Sequence, residues 1–195
     1  MSTREFNFND FSSVEVGGAF EVDVRPSDSY SVVVEADWLT LQSVEVSRRG
    51  EMLSISRKWH PLTWIPASSR PKATITMPVL RGLSISGATR VTVSGFKSSE
   101  DFRMDLSGAS RITGDLGVGN ARLALSGASR ADLSGSAGNL TADISGASRI
   151  EMGGFEVQDA SLVMSGASRM AVNVDSRLNA ELSGASHLHL SLIHI

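Results

Sequence analysis

Serine, arginine, acid and histidine recur in this chain at intervals that invite chemistry. The motif Ser-Gly-Ala-(Ser/Thr)-(Arg/His) begins at Ser86, Ser107, Ser126, Ser145, Ser165 and Ser183. A repeated serine suggests a nucleophile, yet no Gly-x-Ser-x-Gly elbow leads into a helix pattern. His60, beside Trp59 and Pro61, has no evident nucleophile to serve. No phosphate-binding glycine loop of the Walker or Rossmann kind is present. Asp132 and Glu151 hold matching places in successive copies, and Asp105 and Asp143 lie two copies apart. If copies stack at about 4.8 Å, these pairs are about 5 Å and about 10 Å apart, near the carboxylate separations of glycosidases. Periodic stacking produces such gaps automatically, and a catalytic pair needs an acid and a base in different environments. No catalytic residue is therefore assigned. His187 and His189 share one side of a strand, and His194 follows, but a metal site wants three or four ligands. No metal and no cofactor is expected.

The residues that remain are the arginines. Arg90, Arg111, Arg130, Arg149 and Arg169 close successive motifs, and His187 closes the sixth. Stacked at about 4.8 Å, neighbouring guanidiniums repel by only about 1 kcal/mol in a water-like dielectric. Nearby acids (Asp105, Asp143 and Glu181 on one side, Asp132 and Glu151 on the other) and guanidinium stacking offset that. Two readings stand: a solvated, salt-bridged face, or a ladder that grips the carboxylates of an acidic polysaccharide. Trp38, Trp59 and Trp64 suit sugar stacking, although packing is the commoner role of tryptophan.

What must position these side chains is a repeat. The motif steps are 21, 19, 19, 20 and 18 residues, a period that marks one unit stacked on itself. Within each copy the residues alternate with a period of two, as in Leu83, Ile85, Gly87, Thr89, Val91 and Val93, with one parity apolar. Short strands turning at Gly-Ala corners describe coils of a β-solenoid, and five steps climb roughly 24 Å. The motif serines fall outward. The Ser or Thr after Ala falls inward, where neighbouring coils are expected to satisfy its hydroxyl. A second set of turn residues, such as Gly117–Asn120 and Ser134–Asn139, marks the opposite corner.

Before residue 80 the pattern is that of antiparallel strands: Ala19–Val24 and Tyr30–Glu35 about a turn at Pro26, a hairpin through Arg48–Glu51, and Lys72–Met77 ended by Pro78. Trp59–Arg70 reads as an irregular aromatic loop. The expected division is 1–80 as a strand region packed on the solenoid, 81–190 as the repeats, and 191–195 as a truncated or non-native tail.

The 195 residues, 41% hydrophobic and 20% charged, suit a folded domain. A net charge of −3 argues against general nucleic-acid affinity. Cysteine is absent, which removes disulfides and thiolate chemistry. No apolar run approaches the roughly 20 residues of a membrane span. The start lacks the sections of a signal peptide, which leaves a cytoplasmic protein or a missing leader.

The segments Phe11–Val24 (FSSVEVGGAFEVDV), Tyr30–Asp37 (YSVVVEAD), Gly50–Ile55 (GEMLSI) and Ala73–Pro78 (ATITMP), followed by the Leu-x-x-Ser-Gly-Ala-Ser coils, resemble the bacterial family described as putative auto-transporter adhesin, head GIN domain. The resemblance implies an all-β, single-stranded right-handed β-helix, like pectate-lyase solenoids without their catalytic residues. It also implies a cell-envelope or secreted setting and a non-enzymatic adhesive role, with a glycan or another protein surface as partner. It supplies no catalytic residue. Acidic-polysaccharide binding or carbohydrate-active chemistry is the alternative, and an unprotected last coil points to a possible homo-oligomer.

Overall fold

The computed structural model describes residues 2–58 and 70–191. The alternating segments form β2 (Ser13–Gly18), β3 (Glu21–Pro26), β6 (Met52–Arg57), β7 (Lys72–Met77), β8 (Gly82–Gly87), β9 (Arg90–Lys97) and β10 (Phe102–Leu106). Four long strands follow: β11 (Arg111–Leu125), β12 (Arg130–Ile144), β13 (Arg149–Met164) and β14 (Arg169–Leu182), then β15 (His187–Ser191). All these pair in parallel with the strand one coil away. The first part of β11 pairs with β9 and its second part with β10. One strand thus serves two walls, and the chain is a β-solenoid whose coils step by about twenty residues.

The motif corner joins the walls. Each motif Ala donates its N–H to the Gly carbonyl of the previous coil, as Ala128 does to Gly108 at 2.8 Å. The Gly takes a positive φ, +74° at Gly127, and sits directly on the corner beneath. The inward hydroxyls of Thr89, Ser110, Ser129, Ser148 and Ser168 are buried. Their partners lie mainly within their own motif rather than in neighbouring coils. Ser129 donates to the Ser126 carbonyl at 2.8 Å and Ser168 to that of Ser165 at 2.6 Å, and only Thr89 and Ser110 also reach back one coil. A hydroxyl three residues from a carbonyl closes a tight local turn, so each corner satisfies itself.

At the opposite corner β11 to β14 run through without a break, and register shifts absorb the unequal coil lengths. A side-chain ladder lines this corner: Asn120 donates to Asp101 and Asn139 to Asn120, both at 2.7 Å. Asp159 stands next in register with Asn139.

The core between the walls is a set of apolar files. Val14, Leu83, Met104, Leu123, Ala142 and Leu162 are successive register partners on one wall, and all are buried. A single coil cannot bury its inner face, so stacking supplies the stability.

The solenoid starts earlier than the six motifs indicate. Gly17 and Gly18 are in register with Ser86 and Gly87, and Glu21 with Arg90. Gly17–Glu21 is therefore a further copy of the corner, with buried Phe20 where later copies carry a hydroxyl. The strands of the first region are only partly antiparallel. β3 and β4 (Ser31–Ala36) do not pair with each other; β7 lies between them, parallel to β3 and antiparallel to β4. β1 (Ser2–Phe6) adds antiparallel to β4, and β5 (Val44–Arg49) forms the expected hairpin with β6. Between β4 and β5 runs the helix α1 (Trp38–Ser43), whose N-cap Asp37 accepts the Thr40 N–H at 2.9 Å. This reversed turn of chain closes the first end of the core. At the other end the inward-facing Leu178, Ala180, Leu188 and Leu190 are only partly buried, and Leu182 is 44% exposed. Most of the aromatic loop, residues 59–69, and tail residues 192–195 lie outside the described residues.

Candidate functional site

The arginine file is continuous. Along one wall the register runs Arg90, Arg111, Arg130, Arg149, Arg169 and His187. Before Arg90 it runs through Glu21, Lys72 and Glu35, with alternating charge. Two residues along each strand, a second outward file runs Asp23, Thr92, Thr113, Asp132, Glu151, Ala171 and His189. The first file exists because each motif ends in arginine just as the chain leaves the corner. The second exists because strand side chains alternate, so the residue two on shares the same face.

The two files pair unequally. Arg130 grips Asp132 with two nitrogens, Nη2 to Oδ1 at 2.9 Å and Nε to Oδ2 at 3.0 Å. Arg111 reaches the same carboxylate from the previous coil at 3.2 Å. Arg149 Nε lies 3.4 Å from Glu151. Asp132 thus serves its own coil's arginine and the one before it, whereas Glu151 pairs only with the arginine of its own coil. Arg90 and Arg169 carry no ion pair among the described residues: the second-file positions on Arg90's own coil and the next are Thr92 and Thr113, and on Arg169's they are Ala171 and His189. The hydrogen bond from Arg130 holds the Asp132 carboxyl below the usual carboxylate range, its attraction and that of Arg111 adding to this against a partial burial penalty. Arg130 is correspondingly raised by Asp132.

The wall is open. A depression of about 390 Å³ lies over Ala171, lined by Arg149, Glu151, Arg169, His187 and His189. On the other wall Asp105 and Asp143 flank Ala124 above the motif serines, and Arg103 Nε donates to Asp105 at 2.8 Å. The carboxylates weighed as catalytic pairs are thus two coils apart in one case. In the other case Asp132 is ionised more readily than a free carboxyl, the reverse of what a general acid needs. Among the described residues no group of three or more His, Cys, Asp or Glu side chains is placed to hold a metal ion. Trp38, weighed for packing or for sugar stacking, is 66% exposed on α1 beside Leu39 at 61%. The further corner copy at Gly17 and the Asn120–Asn139 ladder escaped sequence reading. Gly-Gly-Ala and the 19-residue step between the two asparagines were their signals.

An all-β solenoid with a flat, charged, shallowly indented wall defines a class of scaffold that presents a surface. The chain belongs to the family described as putative auto-transporter adhesin, head GIN domain, whose profile matches residues 10–191. No curated protein sequence matches it. Among solved structures, a putative adhesin from Bacteroides fragilis is 15% identical, with 97% of this chain and 96% of that one covered and a TM-score of 0.85. A putative lipid binding protein from Parabacteroides distasonis is 14% identical, covering 98% and 95%, with a TM-score of 0.64. A putative adhesin from the same species is 13% identical, covering 97% and 96%, with a TM-score of 0.57. At these identities the likeness concerns the fold. No helix among the described residues is long and apolar enough to cross a membrane.

Proposed function

We propose that this chain is a non-enzymatic adhesion module of the bacterial envelope or exterior, and that its file of Arg90, Arg111, Arg130, Arg149 and Arg169 contacts acidic polysaccharide. The family description supports the adhesive role and the setting. The observation that carries the ligand is the file itself: five arginines in register on an outward wall, with two carboxylates, Asp132 and Glu151, engaging three of them. Exposed ion pairs are worth little, so ligand carboxylates exchange with them at small cost. Guanidinium forks match carboxylates in geometry. Sugar units of an extended chain repeat on a length comparable with the coil step of about 4.8 Å, which lets one strand of glycan meet several arginines.

Glycan-array binding at low and high salt tests this. Uronate-rich chains are expected to bind and to weaken as salt rises. Arg90→Ala and Arg169→Ala are expected to lose more than Arg130→Ala, whose guanidinium is already engaged by Asp132. Absence of acidic-glycan binding at low salt, or binding unchanged when all five arginines are replaced by Gln, refutes the proposal. Reducing-end and unsaturated-product assays on the same glycans are expected to stay at background.

A further inference from the structure

Function in a repeat is sought where the repeat breaks, and the arginine wall breaks at Ala171. In the two preceding coils the same register position holds Asp132 and Glu151, each engaged by the arginine two residues before it on the same strand. At Arg169 that position is a methyl group, and the next coil offers His189 in place of an acid. Arg169 therefore has no ion pair among the described residues. Over this stretch of the wall lies a depression of about 390 Å³ walled by Arg149, Glu151, Arg169, His187 and His189.

We propose that this depression is a carboxylate subsite for an acidic sugar, in which the ligand's carboxylate takes the place at Arg169 that Asp132 takes at Arg130. The template is internal to the protein. Arg130 receives a carboxylate through Nε and Nη2 at 2.9–3.2 Å, and the same backbone register places Arg169 two coils further on. His187 and His189, on the adjoining coil, supply ring nitrogens for the sugar hydroxyls. Glu151 is the one acid in the lining, and its charge is met by Arg149 at 3.4 Å. Arg90 also lacks an ion pair among the described residues, but it stands in register with Glu21, whose charge, shared with Lys72 at 3.9 Å, repels an anion there. The subsite deepens the reading of the wall as a polyanion contact by naming the position that discriminates.

The test is an NMR titration of the full chain with galacturonate, with galactose and propionate as controls. Galacturonate is expected to shift the amides of residues 149–151, 169–171 and 187–189. Galactose, lacking the charge, is expected to leave them in place, and propionate, lacking the ring, to bind more weakly. Ala171→Asp restores the side-chain carboxylate seen one and two coils earlier and is expected to weaken galacturonate by about tenfold or more, since it competes for a charge-assisted fork. Arg169→Gln gives the same loss without adding an acid. Shifts elsewhere, an unaffected Ala171→Asp titration, or propionate binding as tightly as galacturonate would overturn the subsite. Polysaccharide retention that ignores Ala171→Asp removes the subsite and leaves the general reading. A clean monomer titration without polysaccharide retention does the reverse.

Discussion

Gly127→Ala tests whether the motif corner is held by contact between coils. Gly127 has φ +74°, and a Cβ built there stands 2.5 Å from the Gly108 carbonyl oxygen and 3.1 Å from Gly108 N. That is roughly 1 Å short of ordinary contact, on the repulsive side of the van der Waals well. The obstacle is backbone, so no rotamer relieves it. The coils must part where Ala128 N donates to Gly108 O at 2.8 Å and, beside it, Ser126 N to Leu106 O at 2.9 Å. Gly50 supplies the control: its φ is +59°, and a Cβ there meets nothing within 4 Å. Both substitutions incur the left-handed backbone penalty of about 1 kcal/mol. Only Gly127→Ala also strains two backbone hydrogen bonds at about 1 kcal/mol each. The expected losses are about 1 kcal/mol for Gly50→Ala and about 3 kcal/mol for Gly127→Ala. Urea unfolding followed by far-UV circular dichroism measures both, from midpoints at a shared slope. Equal losses would show that backbone conformation alone explains the glycine and that inter-coil contact adds nothing.

Two further substitutions probe polar files. Asp159 Oδ1 is buried without a hydrogen-bond partner at the end of the Asp101–Asn120–Asn139 ladder; Asp159→Asn adds a donor toward Asn139 and is expected to stabilise by about 1 kcal/mol, read as a raised Tm. A lowered Tm would show that the ladder does not continue to this coil. Asp132→Asn removes the carboxylate shared by Arg111 and Arg130 and is expected to cost at most about 1 kcal/mol at neutral pH. Because the folded carboxyl is held below its ordinary value, this stabilisation is complete above the usual range near about 4 and lost as pH falls through the lowered folded value. The parent and the variant should therefore converge in acid, and a gap persisting there would contradict the assigned ion pair.

The solenoid was legible because one motif encodes three things at once. Its spacing gives the coil, its parity gives the two faces, and its Gly-Ala pair gives the corner. Where one of these signals is missing, reading fails. Gly17–Glu21 has the corner glycine but carries Phe20 in the hydroxyl position, so it does not match the motif although it stacks in the same register. Strand alternation says which face is inside but carries no information about direction. For that reason β4 could not be told from a hairpin partner of β3, and the insertion of β7 between them is a long-range choice. The six-residue α1 is too short to show a helical period, and only Asp37 three residues before Thr40 marked its cap.

The candidate site shows the same division between what repeats and what does not. Sequence periodicity places the arginines in a file and the acids beside them. Which arginine keeps its charge available depends on a vector that periodicity does not carry: Asp132 reaches its own coil's arginine and the one before it, Glu151 only its own, and neither reaches the one after. With that direction known, two acids account for Arg111, Arg130 and Arg149 and leave both ends of the file without one. Arg90 is then tempered by Glu21, whereas Arg169 is followed by two histidines. The wall is thus graded along its length, neutralised in the middle and cationic toward the later coils. If the proposed polyanion contact holds, a flexible chain is expected to engage it from the Arg169 end first.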